Sequence, residues 1–371
     1  MKILFVTDYY YPHAGGVEEM IKNIAEGLAE RGNDVHILTW KIPETNNDEI
    51  INNVKVHRYF ATSRYAFLLM MFSKIFFLKQ FDVIHTTTFS SIPTIFLVKL
   101  FGKPCFITLS EIWGRNWFRY NLNPLLASAG YLLEKILLRL PFDKFVVPSE
   151  STKRLFHIYS KKKDRVTVIK HGLDYRLFNP NKYSKQKIRE KYRIGSNFMF
   201  LFYGRFGPTK GLEYLLEAIP LVVEKIPKAK FMLIVTSSPN GFQRIQNIIK
   251  NNNCEKYINL IKAVPRKDLP YYIAASDCVV VPSLNEGFGF AAAEACVMNK
   301  KIVVSDVSSL PEVVFGKVAF SKPADPKSIA QACENIYKGK FINIPKKSFK
   351  WDDSIQKYLD IYEKSMRKQF S

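Results

Sequence analysis

What the 371-residue sequence lacks narrows its function before any motif is read. Its five cysteines, Cys105, Cys254, Cys278, Cys296 and Cys333, are widely spaced, odd in number and form no CxxC pair. That argues against a disulfide framework or a cysteine zinc site, and fits a reducing, cytoplasmic setting. The six histidines show no HExxH spacing, and no DxD carboxylate pair stands ready for a nucleotide-bound divalent ion. A metal-free protein is therefore expected. No apolar run approaches the roughly 20 residues of a membrane span. The nearest, Tyr65 to Phe81, is interrupted by Lys74 and Lys79. The opening Met1-Lys2, with ILFVT before Asp8, is too short for a signal-peptide core and carries no small-residue cleavage site. Acidic residues are few, 33 against 55 Lys and Arg. The resulting charge of +22 favours polyanionic partners: nucleic acid, anionic lipid or phosphate-bearing small molecules.

What is present is an alternation of short β-rich runs and helical stretches, the pattern of parallel α/β sheets. In the first half strands are predicted at Ile3–Thr7, Val35–Thr39, Val54–Tyr59, Val83–Thr86, Cys105–Leu109, Lys144–Val147 and Val166–Ile169. Val17, Met20, Ile21, Ile24 and Leu28 recur at helical spacing within Val17–Glu30. In the second half strands are predicted at Phe198–Tyr203, Lys230–Val235, Ile258–Ile261, Cys278–Val281 and Ile302–Ser305. Helices are predicted at Leu212–Ile226, Gly241–Lys250, Leu269–Ala275 and Phe290–Met298, with a last one from Trp351 to Lys368. At this length two hydrophobic cores are expected rather than one. The boundary falls near His171–Asp174, giving domains 1–172 (with 350–371) and 173–349. The fold class is α/β: two Rossmann-like parallel-sheet domains facing across a cleft, with ligands beyond the carboxyl ends of the strands.

Three strand-to-helix segments carry chemistry. The first is Val281-Pro-Ser-Leu-Asn-Glu-Gly-Phe-Gly-Phe-Ala-Ala-Ala-Glu294. Gly287 and Gly289 allow a backbone to approach a ligand, and the helix start offers unpaired N–H groups. Glu286 and Glu294, eight residues apart, give two carboxylates that accept from sugar and ribose hydroxyls. The run also satisfies G-x-G-x-x-A, with Asp306 about 20 residues on, which keeps a dinucleotide fold formally open. The Glu286/Glu294 pair lies outside that fingerprint and decides against it. The second segment is Leu201-Phe-Tyr-Gly-Arg-Phe-Gly-Pro-Thr-Lys-Gly-Leu212. It places Arg205 and Lys210 where two cations neutralise a diphosphate leaving group. A P-loop fails here, because Thr209 precedes the lysine and Gly211 follows it. The third segment, Asp8 to Glu19, runs through Gly15-Gly16 into a helix. It is either a turn with a cap or a second backbone cradle for phosphate.

Together these segments resemble glycosyltransferase family 4, of GT-B architecture, also called group 1 glycosyltransferases. The resemblance rests on Gly15-Gly16-Val17-Glu18, His171-Gly172-Leu173-Asp174, Gly204-Arg205 with Lys210-Gly211, Pro282-Ser283 through Glu286-Gly-Phe-Gly to Glu294, and Ser309-Leu-Pro-Glu-Val-Val314. It implies a retaining, metal-independent hexosyltransferase that needs no cofactor. A UDP-sugar is the default co-substrate, and the partners are a nucleotide sugar and a glycan or lipid-linked acceptor. It implies catalytic roles for Arg205, Lys210 and Glu286, and donor contacts from Gly15, Gly16, Arg205, Lys210, Val264, Glu286, Gly287, Phe288, Gly289, Phe290 and Glu294. The acceptor side falls at Ser110, Glu111 and Trp113, and the Trp351–Lys368 helix is expected to cross back onto the first domain. Two departures stand out. Ser110 occupies the place of the family's usual histidine, for which His85 on a neighbouring strand is either a catalytic substitute or a structural core residue. Thr236-Ser237-Ser238 replaces the usual glycine-containing turn.

Between Arg58 and Lys144 there are eleven Lys/Arg against four Asp/Glu, a net of +7. This stretch holds the aromatic-basic run Trp113–Tyr120 and the leucine-rich Leu125–Leu140. Such segments either lie in a bilayer interface, making the protein peripheral on the cytoplasmic membrane face, or form ordinary core helices. Nucleic acid is disfavoured as a partner, because the cations are dispersed and no nucleic-acid motif is present. A sugar phosphorylase and a catalytically weak sugar-nucleotide-binding homologue are the remaining alternatives.

Overall fold

The computed structural model describes the whole chain except Ala14, 62–65, 67–72, 88–91, 121–122 and Ser371, with side chains to residue 367. Much of the Tyr65–Phe81 run thus lies outside the described residues. The chain divides into two compact units: unit 1 is Met1–Gly172 with Phe349–Ser371, and unit 2 is Leu173–Ser348.

Unit 1 is built on eight strands: β1 (Lys2–Thr7), β2 (Asp34–Trp40), β3 (Asp48–Ile51), β4 (Val54–Tyr59), β5 (Val83–Thr86), β6 (Cys105–Thr108), β7 (Lys144–Val147) and β8 (Val166–Val168). Their order across the sheet is β3-β4-β2-β1-β5-β6-β7-β8, parallel throughout except for the antiparallel edge strand β3. Both faces are covered, as parallel sheets require. Along β1 the period of two sends Leu4 and Val6 into one core and Ile3 and Phe5 into the other. The second of these cores is completed from the far end of the chain. The helix Trp351–Phe370 contributes Ile355, Tyr358, Leu359 and Tyr362 to it. Gly27, in the helix Gly16–Glu30, lies so near Ile355 that a methyl group there would overlap its side chain.

Unit 2 is a seven-stranded sheet: β9 (Phe198–Arg205), β10 (Ala229–Thr236), β11 (Ile258–Lys262), β12 (Cys278–Val281), β13 (Lys301–Ser305), β14 (Gly316–Ser321) and β15 (Ile342–Ile344). The order is β11-β10-β9-β12-β13-β14-β15, and only β15 runs antiparallel. The helices Leu212–Lys225 and Pro326–Tyr337 pack on one face through Leu215, Leu216, Ile219, Ile329 and Cys333. All five cysteines are buried and free, which places them in the cores.

Each sheet has one point where the strand order reverses, between β1 and β5 in unit 1 and between β9 and β12 in unit 2. Such points open a crevice beyond the strand ends. In unit 2 the opening is marked. β9 and β12 pair only at Phe200–Cys278 and Leu201–Val279, whereas β9 stays registered with β10 as far as Arg205.

Candidate active site

The loops leaving β9 and β12 are stitched to each other at this reversal point. Leu284 N–H donates to Thr209 O at 2.7 Å, and Asn285 N–H reaches the same carbonyl at 3.3 Å. Gly211 makes the approach possible. Its φ is +66°, and a β-carbon there would collide with the Pro282 carbonyl oxygen. This backbone contact carries Lys210 and Glu286 to each other: Lys210 Nζ lies 2.7 Å from Glu286 Oε1. Ser283 Oγ donates to the same carboxylate oxygen at 2.8 Å. Glu286 is only 8% exposed, yet no described residue donates to its Oε2.

The loop that holds Glu286 is fixed from below by two serines. Ser309 Oγ lies 3.0 Å from Glu286 O and 2.9 Å from Phe288 O, and Ser308 Oγ donates to Asn285 Oδ1 at 2.6 Å. Gly289 then caps the helix Phe290–Val297 in a left-handed conformation, φ +92°. Gly287, Phe288 and Phe290 belong to the same turn and helix start. The Phe288 and Phe290 rings meet edge-on at 5.2 Å.

Glu294 sits one turn inside that helix and is 2% exposed. Arg266 Nη2 forms an ion pair with its Oε1 at 3.0 Å, and the Tyr203 hydroxyl lies 3.2 Å from Oε2. Burial, and next the Glu294 charge, push the Tyr203 phenol well above its usual range. The two carboxylates therefore answer to different cations, Lys210 for Glu286 and Arg266 for Glu294. Neither Arg266, Tyr203 nor the serine braces were singled out as contacts from the sequence. The Ser309-Leu-Pro-Glu stretch was the one signal that pointed at part of them.

Arg205 ends β9 and is exposed, with no carboxylate partner among the described residues. It lines a cavity of about 560 Å³ with Phe206, Thr236, Ser237, Ser238, Gly241 and Arg244. Ser238 caps the helix Pro239–Asn251 by accepting from Gly241 N–H at 3.2 Å. The Thr236-Ser237-Ser238 departure thus makes a hydroxyl-lined helix start. Val264 is half-buried in the loop between β11 and Arg266.

In unit 1, Gly15 caps the exposed start of the Gly16–Glu30 helix, where His13 Nδ1 meets Glu18 Oε1 at 2.9 Å. Ser110, Glu111 and Trp113 follow β6. The Trp113 indole N–H donates to Glu111 Oε2 at 2.8 Å, and its ring meets that of Trp117 at a 47° tilt, centroids 4.6 Å apart. The carboxylate that fixes this loop is Glu134. Its two oxygens accept from Trp113 N–H at 2.9 Å and Gly114 N–H at 2.6 Å. Burial raises its pKa, against the pull of those two N–H groups. The sequence offered a signal for it, since Glu134 repeats at helical spacing with the buried Ala127 and Leu137.

His85 is corrected. It is fully buried, and both ring nitrogens are engaged within unit 1: Nε2 with Thr108 Oγ1 at 2.8 Å, Nδ1 with the Tyr362 hydroxyl at 2.7 Å. Burial lowers its pKa to about 3, so it stays neutral. No ring atom remains for a substrate, and the structural alternative replaces the catalytic one. Among the described residues no cluster of three His, Cys, Asp or Glu is arranged to hold a metal ion. None of the described helices is long and apolar enough to cross a membrane.

Known proteins share this fold. Residues 184–355 match the model of the family described as glycosyl transferases group 1, and residues 14–177 match that of glycosyltransferase family 4. An uncharacterized glycosyltransferase of Methanocaldococcus jannaschii is 27% identical over 99% of both chains. The GPI3 subunit of phosphatidylinositol N-acetylglucosaminyltransferase from Saccharomyces cerevisiae is 24% identical, over 97% of this chain and 82% of that protein. Among solved structures, sucrose-phosphate synthase from Thermosynechococcus elongatus superimposes with a TM-score of 0.77 at 19% identity, over 98% and 99% of the two chains. The Anabaena protein HepE in complex with UDP and glucose gives 0.75 at 16%, over 98% and 100%. With one family model on each unit and relatives that span the whole chain, this protein belongs to the group 1 glycosyltransferases of family 4.

Proposed function

We propose that this glycosyltransferase moves a hexose-type sugar from a nucleoside-diphosphate sugar to a hydroxyl of a lipid-linked glycan, with retention and without a metal ion. The observation that carries the donor reading is Glu286. Its Oε1 is held by Lys210 and Ser283, while its Oε2 takes no hydrogen bond from a described residue. A nearly buried carboxylate with one committed oxygen and one uncommitted is built to accept from a ligand hydroxyl. Lys210 and Arg205 supply the charge that a departing diphosphate needs, and removing such a contact costs about 3 kcal/mol of barrier. Glu294, lined up by Arg266 and Tyr203, takes the ribose hydroxyls.

In this reading the bond from the anomeric carbon to the phosphate oxygen breaks and the diphosphate leaves. The acceptor oxygen then bonds to the same face of the oxocarbenium-like centre. The acceptor proton passes to the leaving phosphate oxygen. No carboxylate nucleophile is used in this reading; Glu111, whose Oε2 accepts from the Trp113 indole, is assigned to bracing its own loop. The lipid-linked acceptor draws support from the phosphatidylinositol glycosyltransferase among the relatives.

The test is a nucleotide-release screen with UDP-, GDP- and ADP-sugars in EDTA, with and without a polyprenyl-linked acceptor. Release from one donor, lost in Glu286→Gln and in Arg205→Ala, is the expected result. No turnover and no thermal stabilisation by any nucleotide sugar would overturn the donor site. Turnover that EDTA abolishes would overturn metal independence.

A further inference from the structure

We propose that the helix Pro124–Leu137 docks unit 1 onto an anionic lipid surface. The helix has two apolar sides, and only one is used by the fold. Ala127 and Leu137 are buried, and Gly130 touches the Trp117 ring so closely that a methyl group would overlap it. On the other side Leu125, Ala129, Leu132, Leu133 and Ile136 recur at i, i+4, i+7, i+8 and i+11, a single stripe, with Leu126 along its edge. Leu125 is 81% exposed, Leu126 63% and Leu132 58%. Phe118, half exposed, precedes the helix. Scattered exposed leucines are ordinary; five large aliphatic side chains exposed along one helix are not.

Charge selects the occupant. Between Ile112 and Phe142 the sequence carries Arg115, Arg119, Lys135 and Arg139 and a single acid, Glu134. That acid is turned inward, with both oxygens spent on the Trp113 and Gly114 N–H groups. Arg115, Arg119 and Arg139 are exposed. This segment thus offers aliphatic side chains and cations with no exposed carboxylate of its own, which matches acyl chains beneath anionic headgroups. A second copy of this chain is a poor fit, since it would set like charges face to face on a protein of net +22.

This inference deepens the lipid-linked acceptor reading and rests on it only for its purpose. Docking itself is measured without donor or acceptor, so the two fail separately. The full chain is sedimented with vesicles of phosphatidylcholine, with and without phosphatidylglycerol. Binding is expected with the anionic vesicles and is weakened by salt. The variant Leu125→Glu/Leu132→Glu/Ile136→Glu is expected to lose about tenfold or more in vesicle affinity while keeping its melting temperature and donor turnover in solution. Arg115→Ser/Arg119→Ser is expected to flatten the salt dependence. No binding by the unaltered chain, or equal binding by the triple variant, overturns the proposal. So does a dimer in solution that the triple variant dissociates while vesicles stay unbound, which would give the stripe to a second copy.

Discussion

Gly211 offers a test of the candidate site that separates backbone strain from loop contact. Alanine there faces two penalties. The first is its φ of +66°, a conformation that costs an L-residue about 1–2 kcal/mol. The second is the overlap of its β-carbon with the Pro282 carbonyl, which forces one loop to move at about 1–3 kcal/mol. Gly195 supplies the control: its φ is +56°, and a β-carbon there meets nothing within 4 Å. Gly195→Ala therefore pays the first penalty alone, partly offset by about 0.4–1 kcal/mol from a stiffer unfolded chain. Both glycines lie in unit 2, so both are read on one melting transition. At about 2–4 °C per kcal/mol for a domain of this size, the overlap penalty alone separates the two, and Gly211→Ala should melt roughly 2–12 °C below Gly195→Ala. Turnover should separate them further. Displacing the Pro282 loop moves Glu286 away from Lys210, and misplacement of about 1 Å costs on the order of 10²-fold. Differential scanning calorimetry with donor turnover checks both. Equal melting temperatures with equal turnover would refute the claim that this backbone contact assembles the site.

Lys210→Met should lower turnover by about 10²–10³-fold and also lower the melting temperature, because it strands the nearly buried Glu286 carboxylate without its cation; a change in turnover below about threefold counts against a role for Lys210. Glu134→Ala strands the Trp113 and Gly114 N–H groups and should cost unit 1 about 2–5 kcal/mol, whereas Glu134→Gln, which keeps one acceptor oxygen, should cost clearly less; urea unfolding followed by tryptophan fluorescence distinguishes them. Unit 1 should also be acid-sensitive. Burial lowers the pKa of both His85 and His171 to about 3, so the unfolded chain takes up their protons first as pH falls below 6.5. Their contribution is fully present above 6.5 and is lost as pH drops towards 3, about 3–4 kcal/mol between pH 7 and 5 for the pair. A flat urea midpoint over that range would contradict their neutral burial.

The sheets were legible because parallel strands are buried on both faces and read as unbroken β-branched runs. Val83–Thr86 and Cys278–Val281 match to the residue. Legibility failed where the strands were short or charged. β3, β14 and β15 were missed, since Lys317 interrupts one and another is three residues long. The helix Pro326–Tyr337, which covers the unit 2 core through Ile329 and Cys333, was missed as well. At the site, the carboxylates and cations could be read because they stand in loops directly after strands. Their pairing could not: Lys210 and Glu286 are 76 residues apart, and the Gly211–Pro282 approach that joins them is a property of folded loops. His85 was open between two roles for the same reason. The hydroxyl that settles its place comes from Tyr362, 277 residues later.

That last contact has a consequence for how the protein is made. The chain leaves unit 1 at Gly172 and returns to it at Phe349, so unit 2 is an insertion within unit 1. Translation at about 5–20 residues per second leaves the unit 1 sheet waiting roughly 10–35 s for its closing helix. During that interval Ile3 and Phe5 lack the cover of Ile355, Tyr358, Leu359 and Tyr362, and His85 lacks its tyrosine. Unit 2 has its own core and emerges whole before the helix does. The nascent protein is thus born with its second half finished and its first half open, an apolar surface that a ribosome-associated chaperone is suited to hold until the final turns of helix arrive.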